Sequence, residues 1–399
     1  MKTTFRNLLV AVLLMGTSIV SAQQVNTLYF LENAPMRHII NPAFQPVSKV
    51  YVTLPVIGYT SLWAGNNAFT MQDLIFKDAI TGNTITNPNW LDKKPNTVLF
   101  DTDVYLNLLG FGFRIKDFGY VHVNISEHII GGIGIGKSLF GLNNLTSGTI
   151  GPLSLGANMT AYTDFALGYS HKINDQWTVG GKFKFLVGQA YVGANINDLT
   201  IQTGYEELIA TAKGELIAAA PLMWDQLPEN VENLSDMDIS SLVSNNITDF
   251  VKPAGLGAAL DLGMTYKPIE NLQITASITD LGFIRWTNLA QGALSVDTSF
   301  VGVNLQLKDY LSDGVLQMDS LGSALTNEFA GYTDALQIEG FKTGKPAARM
   351  LTANLNIGVD ANFWENRVGV GLYSRTRFYN NAVTEELTFG AAFRPFNWV

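Results

Sequence analysis

The sequence predicts an all-β chain: a transmembrane antiparallel β-barrel of 12–14 strands, with an N-terminal plug-like segment and long extracellular loops. Three observations predict it. Apolar residues alternate with Gly, Ser, Thr, Asn and isolated charges in runs of about ten residues, the length of a spanning strand. Only 15% of the 399 residues are charged, against roughly 25% in soluble domains. Apolar residues make up 47% of the chain. Beyond residue 22 they never gather into the ~18-residue run that a spanning helix needs.

The first element, 1–22, reads as a secretory signal peptide. Lys2 and Arg6 precede the apolar run Leu8–Val20, and Val20, Ser21 and Ala22 offer a small-residue cleavage site. No cysteine follows that site, so a lipoprotein anchor is excluded. The chain has no cysteine at all, which rules out a disulfide scaffold. The formal net charge is −9, and removing Lys2 and Arg6 with the signal takes it to −11. An acidic mature chain argues against a nucleic-acid partner.

The second element, 23–48, reads "QQVNTLYFLENAPMRHIINPAFQPVS". Pro35, Pro42 and Pro46 break any strand. Tyr29, Phe30, Leu31, Met36, Ile39, Ile40 and Phe44 make it too apolar for a free tail. Two placements satisfy that composition: inside the lumen as a plug, or against the periplasmic rim.

The third element, 49–399, is the barrel. Four hairpins share one layout, at 109–126, 160–187, 256–278 and 356–376. Phe165, Leu167, Phe183 and Phe185 lie on one face of the second, Asp164, Lys182 and Lys184 on the other. Strands are expected at 50–63, 98–115, 120–130, 153–172, 177–189, 191–203, 206–218, 255–267, 271–284, 347–363, 367–379 and 384–396. Tight turns belong on the periplasmic side, and the long connections 64–96, 219–250 and 305–346 outside, with a Gly-rich fourth at 131–151. A barrel of this size is expected to have a lumen only partly filled by its own side chains. In 356–376, Ile357 and Val359 are expected to face lipid and Gly358 the lumen. A charge is therefore expected to be better tolerated at Gly358 than at Val359.

Motifs for chemistry are scarce, and no enzymatic activity, metal or cofactor is expected. His122 and His128 share one strand face but stand roughly 20 Å apart at ~3.3 Å per residue. Ser126 and His128 lack the setting of a GxSxG nucleophile. The pairs Asp101/Asp103 and Asp236/Asp238 lack the Gly and distal Glu of an EF-hand. The informative residues are charged or polar ones of lumen parity: Arg114, Lys182, Lys184, Asp261, Asp360, Tyr373, Arg375, Arg377 and Arg394. Opposite charges there either pair across the lumen or form an electrostatic constriction. Arg375 and Arg377, on one face with Tyr373, are the leading lumen cluster.

"INPAF" (Ile40–Phe44), shortly after the signal, resembles the start of FadL-like and PorP/SprF-type outer-membrane proteins of Bacteroidetes. "AYTDFALGYSHKINDQWTVGGKFKFLVGQA" (161–190) and "SITDLGFIRWTN" (277–288) resemble an uncharacterised barrel family of that group. One departure is the end, where Trp398 is penultimate and Val399 last. The resemblance implies an outer-membrane barrel and assigns no functional residue. It leaves two expectations: a passive conduit or binding barrel for small apolar or amphipathic molecules, and a non-transporting accessory barrel for surface-protein export or outer-membrane assembly. The expected partners are outer-membrane lipid, a small hydrophobic ligand, and other envelope proteins.

Overall fold

Alternation at period two forms antiparallel ladders throughout. The computed structural model describes residues 24–31, 33–55, 59–68, 94–137, 148–203, 208–226, 252–300, 311–312, 315–316, 336–364, 367–379 and 382–393. A helix α1 (Gln24–Phe30) and a 3-10 helix (Pro35–Ile39) come first. The strands are β1 (Val50–Thr53), β2 (Thr60–Asn66), β3 (Thr97–Ile115), β4 (Gly119–Gly136), β5 (Gly148–Lys172), β6 (Trp177–Thr203), β7 (Leu208–Ala219), β8 (Gly255–Ile269) and β9 (Leu272–Trp286). They continue with β10 (Leu289–Phe300), β11 (Leu311–Ser312), β12 (Val315–Leu316), β13 (Leu336–Thr343), β14 (Ala347–Met350), β15 (Ala353–Phe363), β16 (Val368–Tyr379) and β17 (Ala382–Phe393). Fifteen form one sheet, whose main path is β1-β3-β4-β5-β6-β8-β9-β15-β16-β17; β11 and β12 pair only with each other. The sheet is curled into a barrel wall. Arg377 on β16 reaches Asp103 on β3 at 3.0 Å, and α1 contacts β2, β16 and β17 together.

Near the tight turns burial is inside-out. Phe165, Leu167, Phe183, Phe185, Leu262 and Ile357 are exposed on the outer face. His122, Asn124, Lys182, Asp261, Ser277 and Arg375 are buried on the inner one. Soluble sheets do the reverse, and a lipid-facing wall does this. Trp177 stacks on Tyr266 at 4.4 Å beside the turns, as an interfacial aromatic girdle does. From Trp177 to Val187 the apolar outer face spans eleven positions, matching the ~9–11 residues of a tilted spanning strand.

Farther from the turns the parity is kept. On β6 the inner face runs from Lys182, Lys184 and Leu186 across the Gln189 bulge to Tyr191 and Asn195, and the outer face from Phe183 and Phe185 to Val192 and Ile196. β7, β10 and β13 extend this half: Thr211, Lys213, Glu215 and Lys342 share the face of Tyr191 and Asn195. On the opposite, outer face Ile196, Leu216, Leu294 and Phe341 pack with Trp224. Here the apolar outer face is covered by the chain's own side chains, whereas beside the tight turns it lies open.

Several boundaries differ from the expected ones. Residues 177–189 and 191–203 are one strand, because Gln189 is absorbed as a bulge (Ala161 faces Ala190, Tyr162 faces Gly188) instead of opening a turn. The lower part of β6 pairs with β8 and the upper part with β7. The stretch 50–63 is broken at Leu54–Pro55, since proline offers no ladder donor. The stretch 347–363 is broken at Leu351–Thr352. Residues 131–136 lie in β4 and 148–151 in β5, so the Gly-rich connection is shorter than expected. β10 was not anticipated, and β11, β12 and β13 lie within the stretch expected to be a long loop. Most of 64–96 and 219–250 lies outside the described residues.

Candidate functional site

The lumen is the one interior shared by all wall strands, and residues 24–46 fill its tight-turn half. Backbone carbonyls of this plug are claimed by wall side chains. Ser277 Oγ and Asn356 Nδ2 donate to the Ile40 carbonyl at 2.7 and 3.2 Å. Lys182 Nζ donates to the His38 carbonyl at 2.9 Å. Asn41 Nδ2 donates in turn to the Met264 and Ala276 carbonyls, at 3.1 and 3.2 Å. Tyr29 stacks on Tyr373 at 4.7 Å and donates to Asp360 at 2.8 Å. Leu28, Met36, Ile40 and Phe44 complete an apolar cluster with Tyr51 and Tyr120. Burial, with Asp360 beside it, pushes the Tyr29 hydroxyl up, so it stays a donor. Burial, then His122 and Lys182, holds His38 well below the usual histidine range; its neutral ring stacks on His122 at 4.1 Å.

Close approach explains two wall glycines. A Cβ on Gly358 would run into the Tyr29 ring, and one on Gly180 into the Pro42 carbonyl. The expected tolerance at Gly358 is therefore overturned: its lumen face is occupied by the plug. The wall's own side chains leave that space, and the plug takes it.

Above the plug lies a belt of ion pairs. Asp261, fully buried, lies 3.5 Å from Lys182 and 3.0 Å from Lys184. Lys184 also donates to Asp280 at 2.6 Å. Arg377 contacts Asp101 and Asp103 at 3.5 and 3.0 Å and covers the Trp63 ring at 4.2 Å. Arg375 gives Nε and Nη2 to Asn354 Oδ1 at 3.2 and 3.1 Å. His128 Nε2 pairs with Asp164 at 2.8 Å. A bulge delivers Asp280: opposite Asp261 the register shifts from Leu260–Leu281 to Leu262–Ile278. Asp280 takes φ 60 and its backbone N–H donates to Asp261 at 2.8 Å. Asp tolerates this left-handed backbone better than most residues.

Above the belt each strand turns apolar. Leu186, Ile284, Trp286, Tyr162, Ile130 and Tyr379 close a buried layer. The lumen thus has three levels: plug, charged belt, apolar layer.

Of the expected lumen residues, Lys182, Lys184, Asp261, Arg375 and Arg377 come together in the belt, as pairs across the lumen and not as an open charged ring. Asp360 and Tyr373 hold the plug instead. Arg114 sits at the rim, where it donates to Gln45 at 3.1 Å and to the Pro46 carbonyl. Arg394 lies outside the described residues. Asp101 and Asp103, weighed as calcium ligands, are engaged by Arg377. Asp236 and Asp238 lie outside the described residues. Ser126 hydrogen-bonds Tyr105 at 2.8 Å, while His128 takes Asp164. Sequence reasoning placed Asn356 in the lumen but missed Asp280 and the partner Asn354.

Comparison with solved structures returns distant barrels. The Pseudomonas putida toluene transporter TodX aligns with a TM-score of 0.36 and 9% identity, over 91% of this chain and 85% of that one. The Ralstonia pickettii toluene transporter TbuX gives 0.31 and 6%, over 87% and 77%. At such values neither carries an argument about substrate. No curated protein matches. Residues 42–399 match a family described as "Family of unknown function (DUF5723)", so α1 and the 3-10 helix precede the matched region.

Proposed function

We propose a function on the premise that this chain belongs to the DUF5723 family of unknown function: a plugged outer-membrane barrel that admits small amphipathic molecules passively. The observation that carries it is the layering of the lumen. An apolar layer faces the long-connection end, a charged belt lies under it, and a separable segment of the chain lies under that. An apolar body followed by a polar group meets matching surroundings on the way in, and the plug is the last barrier. The exposed apolar outer face beside the tight turns supports seating that half in the bilayer.

The test uses the absence of cysteines. Asn41→Cys with Gly263→Cys joins the plug to β8 where Asn41 meets Gly263. In proteoliposomes, uptake of a small amphiphile is expected to stop in the oxidised variant and return on reduction. Uptake that ignores the cross-link overturns the reading. The filled lumen also favours a second reading, a non-transporting accessory barrel for surface-protein export. Envelope proteins that co-purify in mild detergent support it; a monomer without companions counts against it.

A further inference from the structure

Plug and belt do not meet flush. Ile39 and Ile40 floor a cavity of about 50 Å³, walled by Tyr59, Asp103, His128, Asp280, Asn354 and Arg375. At ~10–15 Å³ per water this admits roughly four water-sized groups, the size of a compact head group.

Hydroxyls of Ser61, Tyr105, Thr279 and Thr352 line that wall beside its charged groups. Its carboxylates are already engaged: Asp103 by Arg377 at 3.0 Å and more loosely by Arg375 at 3.9 Å, Asp280 by Lys184 at 2.6 Å and by Asn354 at 3.2 Å. His128 is held by Asp164. Two buried wall atoms make no hydrogen bond, Arg375 Nη1 and the Tyr59 hydroxyl. Arg375 is only 6% exposed, and its other two nitrogens are fixed by Asn354. A guanidinium nitrogen only donates, and a phenol beside it donates readily, so the complementary group is an acceptor. Next to a guanidinium the strongest acceptor is an oxyanion. Ile130 lines the same cavity and belongs to the apolar layer above it, giving a carbon chain an apolar exit.

We propose that this chamber binds a carboxylate, with Arg375 and Tyr59 donating to its oxygens. The carboxylate is either a small free anion or the head of an amphiphile. The inference deepens the amphiphile reading above and rests on it only for the tail.

The test is calorimetric titration of the purified full-length protein in detergent with octanoate, octanol, octylamine and acetate. Octanoate is expected to bind about tenfold or more tighter than octanol or octylamine. Arg375→Gln and Tyr59→Phe are each expected to cost octanoate about tenfold and leave octanol unchanged. Tyr59→Phe removes one oxygen only, which keeps the test readable if Arg375→Gln fails to fold. Acetate that competes assigns the free anion; octanoate binding without acetate competition assigns the amphiphile head. Equal binding of the three eight-carbon probes, indifference to Tyr59→Phe, or no octanoate binding overturns the proposal. A protein that binds octanoate selectively but transports no amphiphile fails the conduit reading and keeps this one.

Discussion

The two halves of β6 share one backbone and one parity but differ in what covers them. Between Trp177 and Val187 the outer face is Phe and Val and the inner face Lys182 and Lys184; near Asn195 the outer face carries buried Ile196, and Asn195 keeps the inner side. Both halves pair antiparallel, the lower with β8 and the upper with β7. In the lower half the open outer face meets hydrocarbon, so charges retreat inward and survive only by pairing. In the upper half Ile196 is covered by Leu216, Leu294, Phe341 and Trp224. The lesson is that one strand keeps its apolar face outward through both levels, with lipid covering one and the chain's own side chains the other.

The largest effect that sharpens this contrast lies in the belt. Asp261→Ala leaves Lys182 and Lys184 without their shared buried carboxylate. It is expected to destabilise the barrel by about 3–5 kcal/mol in urea unfolding from detergent; a loss below about 1 kcal/mol contradicts a dry belt. The next effect compares the two faces of β6. Phe185→Arg places a charge toward lipid and is expected to cost about 2–4 kcal/mol. Asn195→Arg, on the exposed lumen-parity face, is expected to stay within about 0.5 kcal/mol. Equal costs would erase the distinction between the faces.

How far the sequence carried this picture follows from what alternation encodes. Period two assigns faces well, and so Lys182, Lys184, Asp261, Arg375 and Arg377 were legible as inner residues. It does not encode a bulge. Strict alternation from Thr275 and Ser277 sends Asp280 outward, and only the left-handed step at Asp280 turns it to Lys184. Nor does alternation say what covers a face: Ile196 and Phe185 both lie on the outer face, yet one is buried and the other open. The plug was half legible. Its apolar residues demanded cover, but the carbonyl contacts from Lys182, Ser277 and Asn356 arise from residues distant in sequence. Asp101 and Asp103 looked like oxygen ligands for a cation because their cationic partner, Arg377, lies on β16.

A smaller effect probes the plug against the lipid face beside it. Gly358→Ala puts a methyl into the Tyr29 ring and is expected to cost about 1–3 kcal/mol. Val359→Ala next to it, which only trims a lipid-facing side chain, is expected to cost less. If Gly358→Ala is silent while Val359→Ala is not, the plug does not occupy the position described.

The smallest effect concerns the seat of His38. Burial, then His122 and Lys182, lowers its proton affinity in the plugged state, whereas released into water it has the ordinary value near ~6.5. The released form therefore binds more protons, and falling pH favours release. The stability that His38 gives the plug is fully present above about pH 6.5 and declines below it, by at most about 1.4 kcal/mol per pH unit. Limited proteolysis of residues 24–46 at pH 7.5, 6.5 and 5.5 is expected to show cleavage rising only across the last interval. His38→Gln removes the titrating ring, and its profile is expected to be flatter there. A parallel rise in both proteins would assign the acid sensitivity to the belt instead of the plug.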